Sequence, residues 1–319
     1  MIGKDTALAA SYLQQGKLVA IPTETVYGLA ARIDLDEAVL SIFTAKNRPS
    51  FDPLIVHIAD PSWLGALVLD IPEPAKKLMA QAWPGPVTLL FKKSELVSDL
   101  VTSGNDTVAI RMPNHPLTLE TLRLLGSPVA APSANPFGYV SPTQAAHVEK
   151  QLGEKVAYIL DGGESGIGLE STIVSFIDAK PCVLRLGGMS LEELEDLLGE
   201  APAVNISTHS NPKAPGQLDT HYATGIPLLQ TRSIRAAAEE FKGKNLALLS
   251  FSESYSDLPW VGSEVLSREG DMKEAAQALF AAMRRLDEGN ADFILAEFFP
   301  EIGLGRAIND RLQRASHRK

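Results

Sequence analysis

The sequence predicts an α/β protein in two parts: an N-terminal twisted mixed sheet with packed helices, and a small C-terminal Rossmann-like three-layer domain. Three observations carry that prediction. Residues 1 to 198 interleave apolar runs of strand length with helical periodicity, unevenly enough to argue for a mixed rather than a doubly wound sheet. Between Gly199 and Gly225 both periods vanish into Pro202, Asn205, Ser207, Asn211, Pro212 and Pro215. After Gly225, strand and helix alternate regularly.

In chain order, the strand-like runs of the first part are Leu18 to Ile21, Leu54 to Ile58, Val87 to Phe91, Thr107 to Ile110, Val129 to Ala131, Tyr158 to Leu160, Thr172 to Phe176 and Cys182 to Leu186. Asp5 to Gln14, Leu35 to Ala45, Pro74 to Ala82, Pro116 to Leu125 and Leu191 to Leu198 repeat at the helical period. In the second part, strands at Pro227 to Thr231, Asn245 to Phe251 and Phe293 to Glu297 are each followed by a helix, at Ser233 to Phe241, Met272 to Leu286 and Leu304 to Ala315. The expected divisions are therefore 1–200, a linker at 201–225, and 226–319. The alternation carries no G-x-G-x-x-G turn, so dinucleotide binding is not supported. A P-loop, a zinc-protease helix, a nucleophile elbow and a kinase signature are absent as well.

Composition narrows the function. The 319 residues are 45% hydrophobic and 21% charged, as in a globular protein with a sizeable core. Net charge is −10, and residues 1–200 hold 15 Lys and Arg against 24 Asp and Glu. Such a surface lacks the cations that displace counterions from a phosphate backbone, so direct nucleic-acid binding is expected to be weak or nil. Arg311, Arg314, Arg318 and Lys319 read as a solvated helix end. The lone Cys182 excludes a disulfide framework and a cysteine-based metal site. Met1 to Gln15 lacks the apolar core of a leader and no 18-residue apolar run occurs, so a cytoplasmic location without membrane attachment is expected.

The chemistry-bearing residues sit beside predicted strand and helix ends. Lys46 and Arg48 follow a helix and precede Pro49, which stops helical continuation. Arg offers phosphate a bidentate fork and Lys a compact charge, although a solvated helix end carries such residues too. Ser133 and Asn135 follow Pro132 where a strand ends, suited either to ligand oxygens or to an ordinary turn. Ser141 and Thr143 extend that loop, with Ser141 also placed to cap a helix starting at Pro142. Arg111 leaves an apolar strand and needs an anionic partner, a substrate carboxylate or a structural Asp or Glu. His57 alternates away from Ile58. Thr23, Thr25, Tyr27, Ser171 and Thr172 supply hydroxyls for a pocket or for turns, and Arg185 precedes a Gly-Gly pair.

Five segments carry a resemblance: Lys46-Asn47-Arg48-Pro49, Ser133-Ala134-Asn135, Ile21 to Leu29 (IPTETVYGL), Trp83 to Thr88 (WPGPVT) and Ala109 to Pro113 (AIRMP). By their order and spacing residues 5 to 198 resemble the YrdC-like family, the threonylcarbamoyl-AMP synthases, and the remainder resembles the second domain of the family's long form. The resemblance implies a nucleotidyltransferase that condenses L-threonine, bicarbonate and ATP to threonylcarbamoyl-AMP and pyrophosphate for tRNA threonylcarbamoyladenosine, with hand-over to a transfer complex. It implies Mg²⁺ accompanying ATP, held by substrate oxygens and water rather than a dedicated protein metal site. It puts Lys46 and Arg48 in the catalytic signature. Arg48, Asp52, Thr107, Asn135, Ser141, Thr143, Arg185 and Tyr222 fall toward ATP, and Thr25, Tyr27, His57, Arg111, Ala131, Ser133 and Ser171 toward threonine. The linker element Ala214 to Thr224 corresponds to the family's active-site lid, with Thr220 where Lys is usual and Thr224 where Pro is usual. Tyr222 is expected to close on the nucleotide. The fold is also connected with double-stranded RNA binding, which the acidity of residues 1–200 disfavours, and with carbamoyltransferases, which need further domains.

Overall fold

The structure, a computed structural model, describes residues 1–178, 180–206 and 221–317. These fall into two compact units. The first comprises 1–137, 141–166 and 170–206, and the second 138–140, 167–169 and 221–317. The linker segment 207–220, which includes Thr220, lies outside the described residues, as do Arg318 and Lys319.

The first unit is built on one eleven-stranded mixed sheet. Across it run Ile2–Gly3, Tyr158–Leu160, Val19–Ile21, Gly28–Arg32, Val129–Ala130, Ile55–His57, Thr107–Arg111, Val87–Lys92, Thr172–Ser175, Cys182–Arg185 and Ala203–Val204. Five of its ten strand pairings are antiparallel, as the uneven sequence pattern suggests. Ile55, Leu90, Ala109, Ile173 and Leu184 pack into one core cluster. Because side chains alternate along a strand, His57 and Arg111 carry on the face that Ile55 and Ala109 give to this cluster. The sheet thus delivers two polar groups at the end of an apolar layer.

Strand register brings the site to one edge. His57 pairs with Arg111, Leu89 with Ile110, Thr88 with Ile173, and Ile173 with Arg185. Hence the ends of Ile55–His57, Thr107–Arg111 and Cys182–Arg185 lie beside the starts of Val87–Lys92 and Thr172–Ser175.

Three strands of this unit escape the sequence pattern. Gly28–Arg32, a Gly-Leu-Ala-Ala-Arg strand, has no β-branched residue to mark it. Ile2–Gly3 and Ala203–Val204 are two-residue edge pieces defined by their partners Ile159–Leu160 and Cys182–Val183. The last lies within the expected linker. The helix expected from Pro142 begins at Ala145, with Gln144 extended at its N-cap, so Ser141 is no helix cap.

In the second unit a parallel four-stranded sheet has the order Leu228–Thr231, Phe293–Glu297, Leu246–Ser250, Trp260–Val265. Its last strand went unread because Gly262, Ser263 and Glu264 interrupt the apolar run. Helices Ile234–Glu240, Met272–Asp287 and Gly305–Ser316 complete the unit. Ile234, Ala237, Leu246, Leu248 and Leu295 form a core cluster there. Tyr139 donates to Asp287 Oδ2 at 2.6 Å, and Arg284 donates to Val140 O. No helix among the described residues is long and apolar enough to cross a membrane.

One close approach fixes where the site's last segment lies. Gly188 N donates to Glu170 O at 2.8 Å, and a Cβ at Gly187 would press into the carbonyl oxygen of Glu170 and the backbone of Ser171. Gly187→Ala should therefore force a backbone shift and cost about 1–3 kcal/mol in urea unfolding, whereas an unchanged midpoint and slope would show that the strand end is not so constrained.

Candidate active site

The first half of the site forms at a helix end. Helix Asp36–Lys46 keeps Lys46 as its last residue, and the stop is Asn47 in the left-handed region (φ 52°), not Pro49. Arg48 N reaches back to Phe43 O at 2.9 Å and Asn47 N to Thr44 O at 3.3 Å, the pattern of a Schellman stop. Asn tolerates this conformation better than most residues, and the reversal sends Lys46 and Arg48 into the protein.

Lys46 is 1% exposed. Its ammonium donates to Ser133 O and, at 2.5 Å, to Asn135 O. Arg48 donates from Nε to Asp52 O at 3.1 Å and from Nη2 to Pro53 O at 2.8 Å, and Nη2 lies 2.9 Å from Asp52 Oδ2. Its guanidinium lies 6.0 Å from the Phe137 ring centroid. Burial, reinforced by Arg48, holds Lys46 well below the usual lysine value, with Asp52 opposing. Burial likewise raises the Asp52 carboxyl while Arg48, Lys46 and Arg185 pull it down. Three cations thus act on one buried carboxylate.

The second half is a cavity of about 30 Å³ lined by Thr23, Thr25, Val26, Gly28, His57, Arg111, Ala131, Ser133, Glu170, Ser171 and Arg185. Arg111 donates from Nη1 to Thr25 Oγ1 (2.7 Å) and from Nε to Gly85 O (3.2 Å). Thr25 and Thr23 share a hydroxyl contact of 2.8 Å, and Thr23 donates to Val26 O at 2.6 Å. Arg185 donates from Nε to Ser171 O and from Nη2 to Ser171 Oγ, both at 3.0 Å. Ser171 and Thr88 hydroxyls lie 2.7 Å apart. Ser141 donates to Glu170 Oε1 at 2.5 Å.

Of the residues expected to face threonine, Thr25, His57, Arg111, Ala131, Ser133 and Ser171 line this cavity, and Tyr27 does not. The Tyr27 hydroxyl is taken by the loop after Tyr158–Leu160, donating to Gly163 O (2.7 Å) and accepting from Gly162 N (3.1 Å). Burial pushes it up to about 12. Among the residues expected toward ATP, Arg48 and Asp52 pair directly and Arg185 joins their electrostatics. Asn135 accepts at its carbonyl from Lys46. Thr107 and Thr143 are buried with hydroxyls that meet no partner among the described residues. Tyr222 belongs to the second unit, φ 63°, its ring stacked on Phe280 at 5.4 Å and 5.2 Å from the Arg311 guanidinium.

Two carboxylates of the site, Glu24 and Glu170, were not singled out from the sequence. Glu24 Oε1 lies 2.7 Å from Arg111 Nη2, answering the requirement for an anionic partner. A search for phosphate and carboxylate receptors selects cations and hydroxyls and passes over acids, though the placement of Glu24 between Thr23 and Thr25 was a usable signal.

A YrdC-like mixed sheet followed by a separate parallel sheet, with buried cations beside a hydroxyl-lined cavity, defines a two-domain YrdC-like enzyme of nucleotidyltransferase type. A family model described as "Telomere recombination" matches residues 11–187, and one described as "Threonylcarbamoyl-AMP synthase, C-terminal domain" matches 189–317. The chain is 42% identical to threonylcarbamoyl-AMP synthase of Pyrococcus abyssi, covering 97% of this chain and 93% of the relative. It is 42% identical to that of Bacillus subtilis, covering 97% and 92%. In structure it is similar to P. abyssi Sua5 complexed with L-threonine, with a TM-score of 0.92 and 39% identity over 99% of this chain and 97% of that one. The chain belongs to the threonylcarbamoyl-AMP synthase family.

His57 yields a pH prediction. It is 3% exposed, and burial with the neighbouring Arg111 lowers its pKa to about 3. Below about 6.5 the unfolded chain takes up a proton that the folded chain refuses, so folding stability falls as pH drops from about 6.5 toward 3, by up to ~1.4 kcal/mol per unit. Urea unfolding of wild type and His57→Asn from pH 7 to pH 4 should show a shallower loss in the variant, and parallel losses would refute the assignment.

Proposed function

We infer that this chain condenses L-threonine, bicarbonate and ATP to threonylcarbamoyl-AMP, releasing pyrophosphate. The observation that carries the reading is the junction at Arg185, which lines the polar cavity and also acts on the Lys46–Arg48–Asp52 cluster. One guanidinium therefore borders both the hydroxyl-lined cavity and the cationic cluster. Threonine's nitrogen and bicarbonate give a carbamate with loss of water. A carbamate oxygen then attacks the α-phosphorus of ATP as the bond to the bridging oxygen of pyrophosphate breaks. Such a transfer needs charge neutralisation and alignment more than a covalent nucleophile.

Arg111 takes the threonine carboxylate, while Thr25, His57, Ala131, Ser133 and Ser171 shape the cavity for its side chain and nitrogen. His57, neutral in the fold, adds no charge to this pocket. Tyr27 supports the wall from behind. Lys46 and Arg48 meet the phosphates with Arg185, and Asp52, Thr107, Asn135, Ser141 and Thr143 line the nucleotide side. The unpartnered hydroxyls of Thr107 and Thr143 suit that role, since a buried hydroxyl without a partner is costly unless a ligand supplies one.

Mg²⁺ enters with ATP. The ion is kept largely by phosphate oxygens and water. Asp52 Oδ1, buried and without a hydrogen-bond partner among the described residues, is a protein oxygen that would be available to it. When bound, the ion offsets phosphate charge. Residues 1–200 serve as the catalytic domain, 201–225 as linker and lid, and 226–319 as the Rossmann-like domain. The reaction belongs in the cytoplasm, where the unstable product passes to a complex that modifies tRNA.

Pyrophosphate release from Mg²⁺-ATP should require both L-threonine and bicarbonate, and should fall about 100-fold or more in Lys46→Ala and Arg48→Ala, the scale expected when one preorganised charge partner is removed. Release indifferent to threonine or bicarbonate would contradict the reading.

A further inference from the structure

Arg111 is fastened without help from its nearest anion. The bonds from Nε to Gly85 O and from Nη1 to Thr25 Oγ1 already fix the guanidinium plane. The Glu24 carboxylate lies 2.7 Å from Nη2 but out of hydrogen-bond alignment. Among the described residues, therefore, Nη2 has no acceptor and neither Glu24 oxygen has a donor, although all three atoms are buried. A buried carboxylate whose charge is met but whose hydrogen bonds are unmade is poorly compensated for its lost hydration. The pair is held by charge and not by a hydrogen bond.

The surroundings say which part gives way. Thr23 Oγ1 accepts from Thr25 N and Val26 N at 3.2 Å and locks the backbone around Glu24, leaving the Glu24 side chain as the part that can turn. The neighbouring cavity measures about 30 Å³. Arg111 lines it and Glu24 does not. An entering carboxylate meets a guanidinium nitrogen without a hydrogen bond and, just beyond it, a like charge.

We propose that Glu24 is the resting partner of Arg111 and that the substrate carboxylate displaces it, so that Glu24 sets how tightly the cavity holds its amino acid. The proposal rests on the reading of L-threonine as substrate. Glu24 acts as a positioning residue through Arg111. Re-forming its contact competes with every binding event, and only a ligand that makes the full set of cavity contacts overcomes it. That competition favours a complete amino acid over small carboxylates.

The test is calorimetric titration of L-threonine into the full chain, as wild type, Glu24→Gln and Glu24→Asp, with L-threoninamide as the probe lacking a carboxylate. Glu24→Gln should tighten threonine binding about threefold or more, since the fraction of Arg111 open to ligand rises, with no gain for threoninamide. Unchanged or weaker threonine binding in a Glu24→Gln protein with a wild-type melting curve overturns the proposal, as does an equal gain for threoninamide. Should Glu24→Gln not fold, Glu24→Asp, whose side chain is one methylene shorter, must show the tightening, and its absence overturns the proposal equally. Wild-type protein that binds no threonine overturns the functional reading and this proposal with it. Threonine binding indifferent to Glu24 overturns this proposal alone.

Discussion

The site depends on a buried ammonium. Lys46, the last residue of its helix, reaches the carbonyl oxygens of Ser133 and Asn135, 87 and 89 residues away in the chain. Sequestering a lysine costs several kcal/mol unless its donors are met. Here the two carbonyls meet two of its three donors, with Asp52 the countercharge and Arg48 opposing. One interaction thereby locks the helix stop at Asn47 to the loop after Val129–Ala130.

That cluster can be built because the mixed sheet supplies a rigid edge. Register places His57 against Arg111 and Ile173 against Arg185, so two guanidiniums lie within the same polar layer above an apolar one. Burial then divides the labour: His57 is kept neutral while the arginines, which keep their charge in such settings, supply it. Ser171 links the two halves by accepting from Arg185 at both its carbonyl and its hydroxyl.

Much of this was legible in the chain, for local reasons. Pro116–Leu125 and Leu191–Leu198 were bounded to the residue because a Pro opens the first, a Ser190–Glu193 capping box opens the second, and Gly126 and Gly199 close them in left-handed conformations. Strands Tyr158–Leu160 and Phe293–Glu297 stood out as apolar runs. What escaped depends on partners distant in sequence. Gly28–Arg32 is a strand because Val19–Ile21 and Val129–Ala130 flank it. Tyr27 points to Gly162 and Gly163, a choice that residues 21–29 alone do not encode. Cations and hydroxyls of the site could be picked by chemistry, whereas the partners of Glu24 and Glu170, Arg111 and Ser141, are far along the chain.

The central claim is that Lys46, Arg48 and Arg185, gathered around Asp52, form a receptor for a polyphosphate. Calorimetric titration of inorganic tripolyphosphate into the full chain, in wild type and in a folded Arg185→Gln protein, tests it most directly. The account predicts saturable one-to-one binding that weakens with added salt and is lost or greatly reduced in the variant. No saturable binding, or binding that the variant retains in full, would contradict it.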